Sequence, residues 1–505
     1  MLFSEHSERI RKIERTMSKH MNNLNTQNQN NTNVHERGAF MNTQQTNVDV
    51  YISNEIAIPE DQLPYDAIES LKDHLIFTNP QWLENKKRGY WNGKTPEKLY
   101  FLKTRNNFFT MPRGFIHHLK SILTPFDINL IIHDQTRLLD TIDYEFTGKL
   151  YDFQERAANV ILKRKFGVFN CPTGGGKTVV ALYCIAQRQQ PALVIVHTKE
   201  LLYQWSQRAQ EFLNLSETKI GLIGDGQFNI GSHVTIAIVN SLYKRVHEVK
   251  DHIGFFIVDE CHRTPSRTFV EASSAFDSRF MLGLSATPYR RDKLTQVINF
   301  YMGGQLINIS PQELQVKSRI MQAKVIVRRT LFDYDYAVDE DYQAMMSALT
   351  DDHARTEMIV DDVIRHTQKN SGVGLVISDR KDHCNMLYNR IAQKEIIVRL
   401  LTGDVPNKTR KKITGELAQG EVQVLVATSQ LIGEGFDLKQ LSALFLTMPV
   451  KFTGRIKQYV GRILRTDKDK QDAIIYDYVD QPGVLQASFI SRRKAYMELG
   501  IKDIN

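Results

Sequence analysis

From about residue 145 the chain alternates short, continuous apolar runs with stretches of helical periodicity, and that rhythm limits the possible folds more than any other feature. FGVFN, ALVIVHT, TIAIVNS, FFIVDE and FMLGLSAT come first; after a connection near residues 310–318 follow GVGLVIS, IIVRLLTG, VQVLVATS, ALFLTMP and AIIYDYVD. A strand that is apolar at every position buries both faces, which a parallel sheet covered by helices on either side provides. The restart predicts two successive α/β lobes of similar size.

The first third of the chain reads differently. Residues 21–47 are rich in Asn, Gln and Thr and hold too little apolar surface to offset the entropy of ordering them. They predict a disordered leader over residues 1–47. VDVYISNEIAI alternates apolar and polar residues from Val48, as a half-buried strand does. Four segments are expected: the leader 1–47, a small α+β N-terminal domain over 48–140, and lobes over 141–312 and 319–505.

Composition narrows the class of protein. In 505 residues, 42% are hydrophobic and 24% charged, as in soluble globular chains, and the net charge of +8 favours a polyanionic partner. Cys171, Cys184, Cys261 and Cys384 lie too far apart for a zinc site or a disulfide framework, which points to a reducing, cytoplasmic compartment. No apolar run is long enough to cross a membrane, and the N-terminus lacks the apolar stretch of a signal peptide.

Three short segments carry chemistry. CPTGGGKT, Cys171 to Thr178, follows an apolar strand and precedes a helix, the setting of a phosphate-binding loop. Gly174, Gly175 and Gly176 let backbone N–H groups curl around phosphate oxygens, and the helix N-terminus adds favourable partial charge. Lys177 is expected to reach the β- and γ-phosphates of ATP, and the Thr178 hydroxyl to hold Mg²⁺. FFIVDECH delivers Asp259 and Glu260 to the carboxyl edge of the sheet, where ligands of such folds bind. Asp259 is the candidate Mg²⁺ ligand and Glu260 the candidate base for the attacking water. In QYVGRILR, Arg462 and Arg465 are three apart, share one helix face, and suit a clamp on the γ-phosphate from the opposite lobe.

Together these segments resemble the motifs of the superfamily 2 helicases, in their usual order, over residues 145–480. LYDFQERA with Gln154 resembles the adenine-reading Q motif; CPTGGGKT, DECH and SATP resemble motifs I, II and III. ATSQLIGEGFD and QYVGRILR resemble motifs V and VI, and VIVHTKELLYQW and TIAIVNSL the nucleic-acid-facing motifs Ia and Ic. The resemblance implies an α/β fold of two tandem RecA-like parallel-sheet lobes that close on ATP with Mg²⁺. It implies that Ser285 and Thr287 couple hydrolysis to movement, and that Gly433, Gly435 and Asp437 meet the ATP ribose or the hinge between lobes. DECH and GLSATPYRRD lie nearest the group of XPB-, RadD- and UvsW-like helicases. Where XPB-like chains carry Arg-Glu-Asp after motif III, this chain has Arg290–Arg291–Asp292, so that role is not carried over. DEAD-box RNA helicases have Ala-Asp in place of Cys261–His262, which disfavours RNA as the partner.

In residues 79–104, Trp82, Tyr90 and Trp91 interleave with Lys86, Lys87, Arg88 and Lys94. Such cations neutralise phosphates and such rings stack on bases; the same residues also suit a small β-rich core with basic turns around Asn92–Gly93. RGYWNGKTPEKLYFL resembles the N-terminal domain of UvsW-like helicases, which implies binding to duplex, forked or branched DNA, with Lys86, Lys87, Arg88 and Lys94 as contacts. Four functions stay open: a DNA helicase of repair, recombination or replication; a double-strand translocase of a restriction or defence system; an RNA helicase; and a binding module with an inactive ATP site. Accessory protein partners are unspecified. Arg492 and Arg493 in the C-terminal tail read as surface or lobe-packing residues.

Overall fold

A computed structural model of the chain describes residues 46–263, 267–286, 294–316, 323–335, 342–370, 372–433, 440–450, 456, 459–461, 463, 464 and 473–505. All but the last two residues of the expected leader lie outside this set.

The first sheet is built from β1 (Thr46–Ile52), β2 (Glu55–Pro59), β5 (Lys103–Arg105), β6 (Phe108–Pro112) and β7 (Ile128–Asp134), in the order β5-β6-β2-β1-β7. A separate hairpin pairs β3 (Ile76–Thr78) with β4 (Lys98–Tyr100). The alternating run VDVYISNEIAI is two strands rather than one. It turns at Ser53–Asn54, where the Ser53 N–H donates to the Glu55 carbonyl at 2.9 Å, and the apolar phase survives because Val48, Val50, Ile52, Ile56 and Ile58 are all buried.

The second sheet contains β8 (Phe166–Asn170), β9 (Ala192–Val196), β10 (Ile220–Gly224), β11 (Gln227–Phe228), β12 (Val234–Ile238), β13 (Phe255–Val258), β14 (Phe280–Ser285) and β15 (Gln305–Asn308). Its order is β11-β10-β12-β9-β13-β14-β8-β15, parallel except for the short β11. β8, β9, β12 and β13 are buried at every position. Each such Val, Leu, Ile or Phe contributes about 1.5–3 kcal/mol, which holds a two-faced core together. The helix Lys177–Arg188 buries Val180, Ala181, Cys184 and Ile185, a stripe of helical spacing, and stops where Gln189 turns left-handed.

The third sheet holds β16 (Ala323–Arg329), β17 (Val373–Ser378), β18 (Val398–Leu401), β19 (Val424–Thr428), β20 (Leu441–Leu446), β21 (Ala473–Val479) and β22 (Asp503–Ile504). The order is β18-β19-β17-β20-β21-β16-β22, all parallel. The mixed α/β architecture with tandem parallel sheets is the expected one. In these two sheets, β10, β11, β15, β16 and β22 add to the strands legible in the sequence. The tail docks on this sheet: Arg492, on the helix Gly483–Glu498, is fully buried and forks onto Asp477, which also accepts from the Tyr496 hydroxyl at 2.7 Å, while Arg493 stays exposed.

The first sheet is not a loose appendage. Its core and the near face of the second sheet form one cluster, in which Phe115 and Phe101 meet Phe300 edge-on at 5.3 and 5.2 Å. A Cβ on Gly114 would lie 2.4 Å from the Gly303 nitrogen, so backbone rests on backbone. Arg137 grips Asp277 with two N–H···O bonds of 2.9 and 3.0 Å. Interior packing of this density moves as a unit.

Candidate nucleotide and coupling site

The sheet register brings the candidate residues together. Ser285 pairs with Asn170, so β8 and β14 end at the same level, while β13 stops opposite Gly283, two residues short, and Asp259–Glu260 continue it toward that edge. Their continuations are the glycine loop, Asp259–Glu260 and the bend at Ala286, and the Cys171 N–H ties β8's end to β14's by donating to the Ser285 carbonyl at 3.0 Å.

In the loop, Gly174 and Gly176 have φ of +88° and +77°, which side chains resist. Gly175 is required for a different reason: a Cβ there would sit 2.2 Å from the Cys171 sulfur. Cysteine at the first loop position therefore fills space that the second glycine leaves. The helix begins at Lys177 with no side chain capping it, so its first N–H groups are turned to the loop. The Lys177 ammonium donates to the Cys171 carbonyl at 3.1 Å, and Thr178 is half-buried in the first turn. These positions fit a polyphosphate.

Gln154 is almost wholly buried at the start of the helix Asp152–Leu162. Its amide accepts from the Tyr151 N–H at 3.0 Å and donates to the Gly175 carbonyl at 3.1 Å, bracing the loop. A primary amide so engaged retains one N–H and one lone pair.

Asp259 is buried, and its two oxygens have distinct partners. One accepts from the Glu260 N–H at 3.0 Å, the other from the Trp205 indole at 2.8 Å. Burial and then the charge of Glu260 raise its pKa, against the pull of Trp205 and Lys177. A desolvated carboxylate next to a second one fits a divalent cation, whose charge relieves both penalties. Glu260 has φ of +50°, a left-handed conformation uncommon for this residue type and a form of local strain that functional sites hold. Its carboxylate lies 3.2 Å from His262 Nδ1, which is also 3.3 Å from the hydroxyl of the fully buried Ser285. One imidazole thus spans the second and third motifs.

Among the described residues, two contacts between the lobes bear on the site. Arg410, on the helix Asn407–Ala418, donates to Glu200 at 3.0 Å. Gly461, the residue before Arg462, lies against the glycine loop, where a Cβ on it would meet the Thr173 Cβ at 2.8 Å. That atom is one bond from the backbone and cannot swing away. Gly461→Ala is therefore expected to cost about 1–3 kcal/mol of closed-state stability, a roughly ten- to hundredfold loss of ATP turnover with an unchanged melting temperature. Turnover within twofold of the parent chain would show that the two lobes need not approach this closely.

Thr287, Gly435, Asp437, Arg462 and Arg465 lie outside the described residues, as do Gln458 and Arg290–Asp292; Gly433 is described in its backbone alone. Lys86 and Lys87 end the helix Pro80–Lys87 and Arg88 follows it, so this stretch is a helix and loop and not a β-rich core. All three are exposed, as are Lys94, Tyr90 and Trp91. Lys86 stands 4.9 Å over the Trp82 ring, and Arg88 is paired with Glu84.

Three residues at the site escape a reading by motif. Trp205 ends VIVHTKELLYQW, a segment the resemblance connects only with nucleic acid. His262 served only to separate DECH from other families. The close approach at Gly461 left no signal beyond the glycine itself.

A glycine loop, a lysine at a helix start and a carboxylate pair, all on the first of two parallel-sheet lobes, define a nucleotide-binding protein of tandem RecA-like architecture. The model of the type III restriction enzyme res subunit matches residues 147–290, and that of the helicase conserved C-terminal domain matches residues 355–467. The DNA 3'-5' translocase XPB2 of Sulfurisphaera tokodaii is 26% identical over 360 residues, 65% of this chain and 81% of the relative. The ATP-dependent DNA helicase uvsW of Enterobacteria phage T4 is 22% identical over 357 residues, 68% and 70% of the two chains. Among solved structures, S. cerevisiae Dbp5 bound to RNA and ADP BeF3 superposes with a TM-score of 0.54 at 16% identity, over 70% of this chain and 88% of that one, a likeness of fold. The chain belongs to the superfamily 2 helicases, in the XPB- and UvsW-like group. Among the described residues, no helix is long and apolar enough to cross a membrane.

Proposed function

We propose that the protein is an ATP-dependent DNA helicase or translocase that remodels duplex, forked or branched DNA in repair, recombination or replication. The observation that carries this reading is the parallel register of β8, β13 and β14, which gathers Lys177, Asp259, Glu260 and Ser285 at one sheet edge beside a contact from the second lobe.

Mg²⁺-bound ATP supplies the phosphoanhydride bond whose hydrolysis drives the cycle. Lys177 and the uncapped helix N-terminus hold the phosphates, Gln154 steadies the loop and offers its remaining amide groups to the base, and Thr178 and Asp259 hold the cation. Glu260 takes a proton from the attacking water, and Arg462 and Arg465 neutralise charge from the second lobe. Gly435 and Asp437 serve the ribose or the hinge. His262 links Glu260 to Ser285, and with Thr287 the latter passes the state of the ATP site to the DNA-facing loops. Residues 48–140 form a DNA-binding domain with Lys86, Lys87, Arg88 and Lys94 on phosphates. Because that domain shares its core with the first lobe, DNA held by it moves with that lobe.

The test is ATP hydrolysis alone and with single-stranded DNA, duplex DNA, a four-way junction or RNA, with Glu260→Gln as control. Stimulation by DNA, greatest with the junction and lost in the variant, is the expected result. Stimulation by RNA alone, or by no nucleic acid, would overturn the proposal. The match to a res-subunit model favours one second reading, a double-strand translocase that moves without unwinding. Displacement of a third strand from a triplex without separation of a forked duplex would select it.

A further inference from the structure

Trp205 is the only fully buried tryptophan of the three, and it lies on the helix Lys199–Leu213. Its indole N–H meets Asp259 at 2.8 Å across 54 residues of sequence, with both side chains out of water. An indole N–H donates only; it neither takes up a proton nor binds a cation. It therefore selects one carboxylate rotation and leaves the metal-facing chemistry to Asp259. The other partner of that carboxylate is the adjacent Glu260 N–H, whose residue is held in a left-handed conformation. The indole is thus the one restraint in this pair that comes from another element. The same helix carries Glu200, which contacts Arg410 of the second lobe.

We infer that Trp205 is a positioning residue for the metal site: it fixes the Asp259 carboxylate for Mg²⁺ and ties that carboxylate to the helix that touches the second lobe. The inference rests on Asp259 being the metal ligand. Outer partners that orient a ligand in this way change metal affinity about 10- to 100-fold when removed.

Mn²⁺ reports its own binding by loss of the free-ion EPR signal, and is titrated into the full chain with ADP. W205F keeps an aromatic, though smaller, ring and removes the N–H; its Mn²⁺ dissociation constant is expected to rise about tenfold, with ADP affinity in the absence of metal unchanged. W205Q, which restores an N–H donor with poorer packing, is expected to fall nearer the parent chain. A constant for W205F within twofold of the parent, or equal weakening in W205F and W205Q, would overturn the inference, since packing alone would explain the latter. If W205F does not fold, the parent chain labelled with 5-fluorotryptophan decides: Mn²⁺ with ADP should broaden the ¹⁹F signal of Trp205, and an unbroadened signal overturns the inference. Absence of Mn²⁺ binding by the parent chain would instead overturn the reading of Asp259 as ligand.

Discussion

Glu260→Gln is expected to lower ATP turnover by about three orders of magnitude, within the 10²–10⁴-fold that a positioned general base supplies, while nucleotide affinity changes little. The substitution preserves side-chain shape and removes the ability to take a proton. The site makes this a clean test because the position is set by backbone: Glu260 stands at φ of +50° two residues past the end of β13, and His262 contacts its carboxylate at 3.2 Å. Single-turnover hydrolysis with nucleotide prebound separates chemistry from binding. A loss of less than tenfold would mean that water is activated by another group. A loss accompanied by weakened ATP binding would mean that Glu260 supports the ground state.

Arg355→Met is expected to destabilise the second lobe by about 3–5 kcal/mol, the usual cost of stranding one partner of a buried ion pair. Arg355 and Asp480 are each 1% exposed and meet at 2.8 Å. The guanidinium also donates to the Thr447 carbonyl at 2.9 Å, and Asp480 accepts from the Thr330 hydroxyl at 2.6 Å, so one network joins the ends of β16, β20 and β21 to the helix His353–Lys369. In the variant, Asp480 keeps only Thr330 among these partners. Urea unfolding followed by circular dichroism should show an earlier transition. The double variant Arg355→Met/Asp480→Leu should recover most of the loss, because removing both charges removes the desolvation penalty. A single variant within 1 kcal/mol of the parent chain would mean that water reaches the pair.

Much of the site was legible because its chemistry is local. The strand–loop–helix setting of CPTGGGKT and the carboxylates closing FFIVDE lie within a few residues of the sheet edge that presents them, so spacing alone implied their use. The apolar runs revealed most strands for the same reason: a strand buried on both faces carries its environment in its own composition. β10, β11, β15, β16 and β22 were missed, since IGLIG carries two glycines in five residues, QLIN is half exposed, AKVIVRR is fully buried at only two positions and ends in charge, and β11 and β22 have two residues each. VDVYISNEIAI read as one strand because a tight turn at Ser53–Asn54 leaves the period-two pattern unbroken.

By itself the sequence determined two parallel-sheet lobes, the phosphate loop and the carboxylate pair, because backbone geometry and hydrophobic period are properties of contiguous residues. Only the tertiary structure decided that Trp205 holds Asp259, that His262 spans Glu260 and Ser285, that Gly461 rests on Thr173, and that the first sheet shares a core with the second. Apart from the neighbouring Glu260 and His262, those contacts join residues tens to hundreds of positions apart. Which of many polar or small residues meet at such distances depends on strand order and register, which no local pattern encodes.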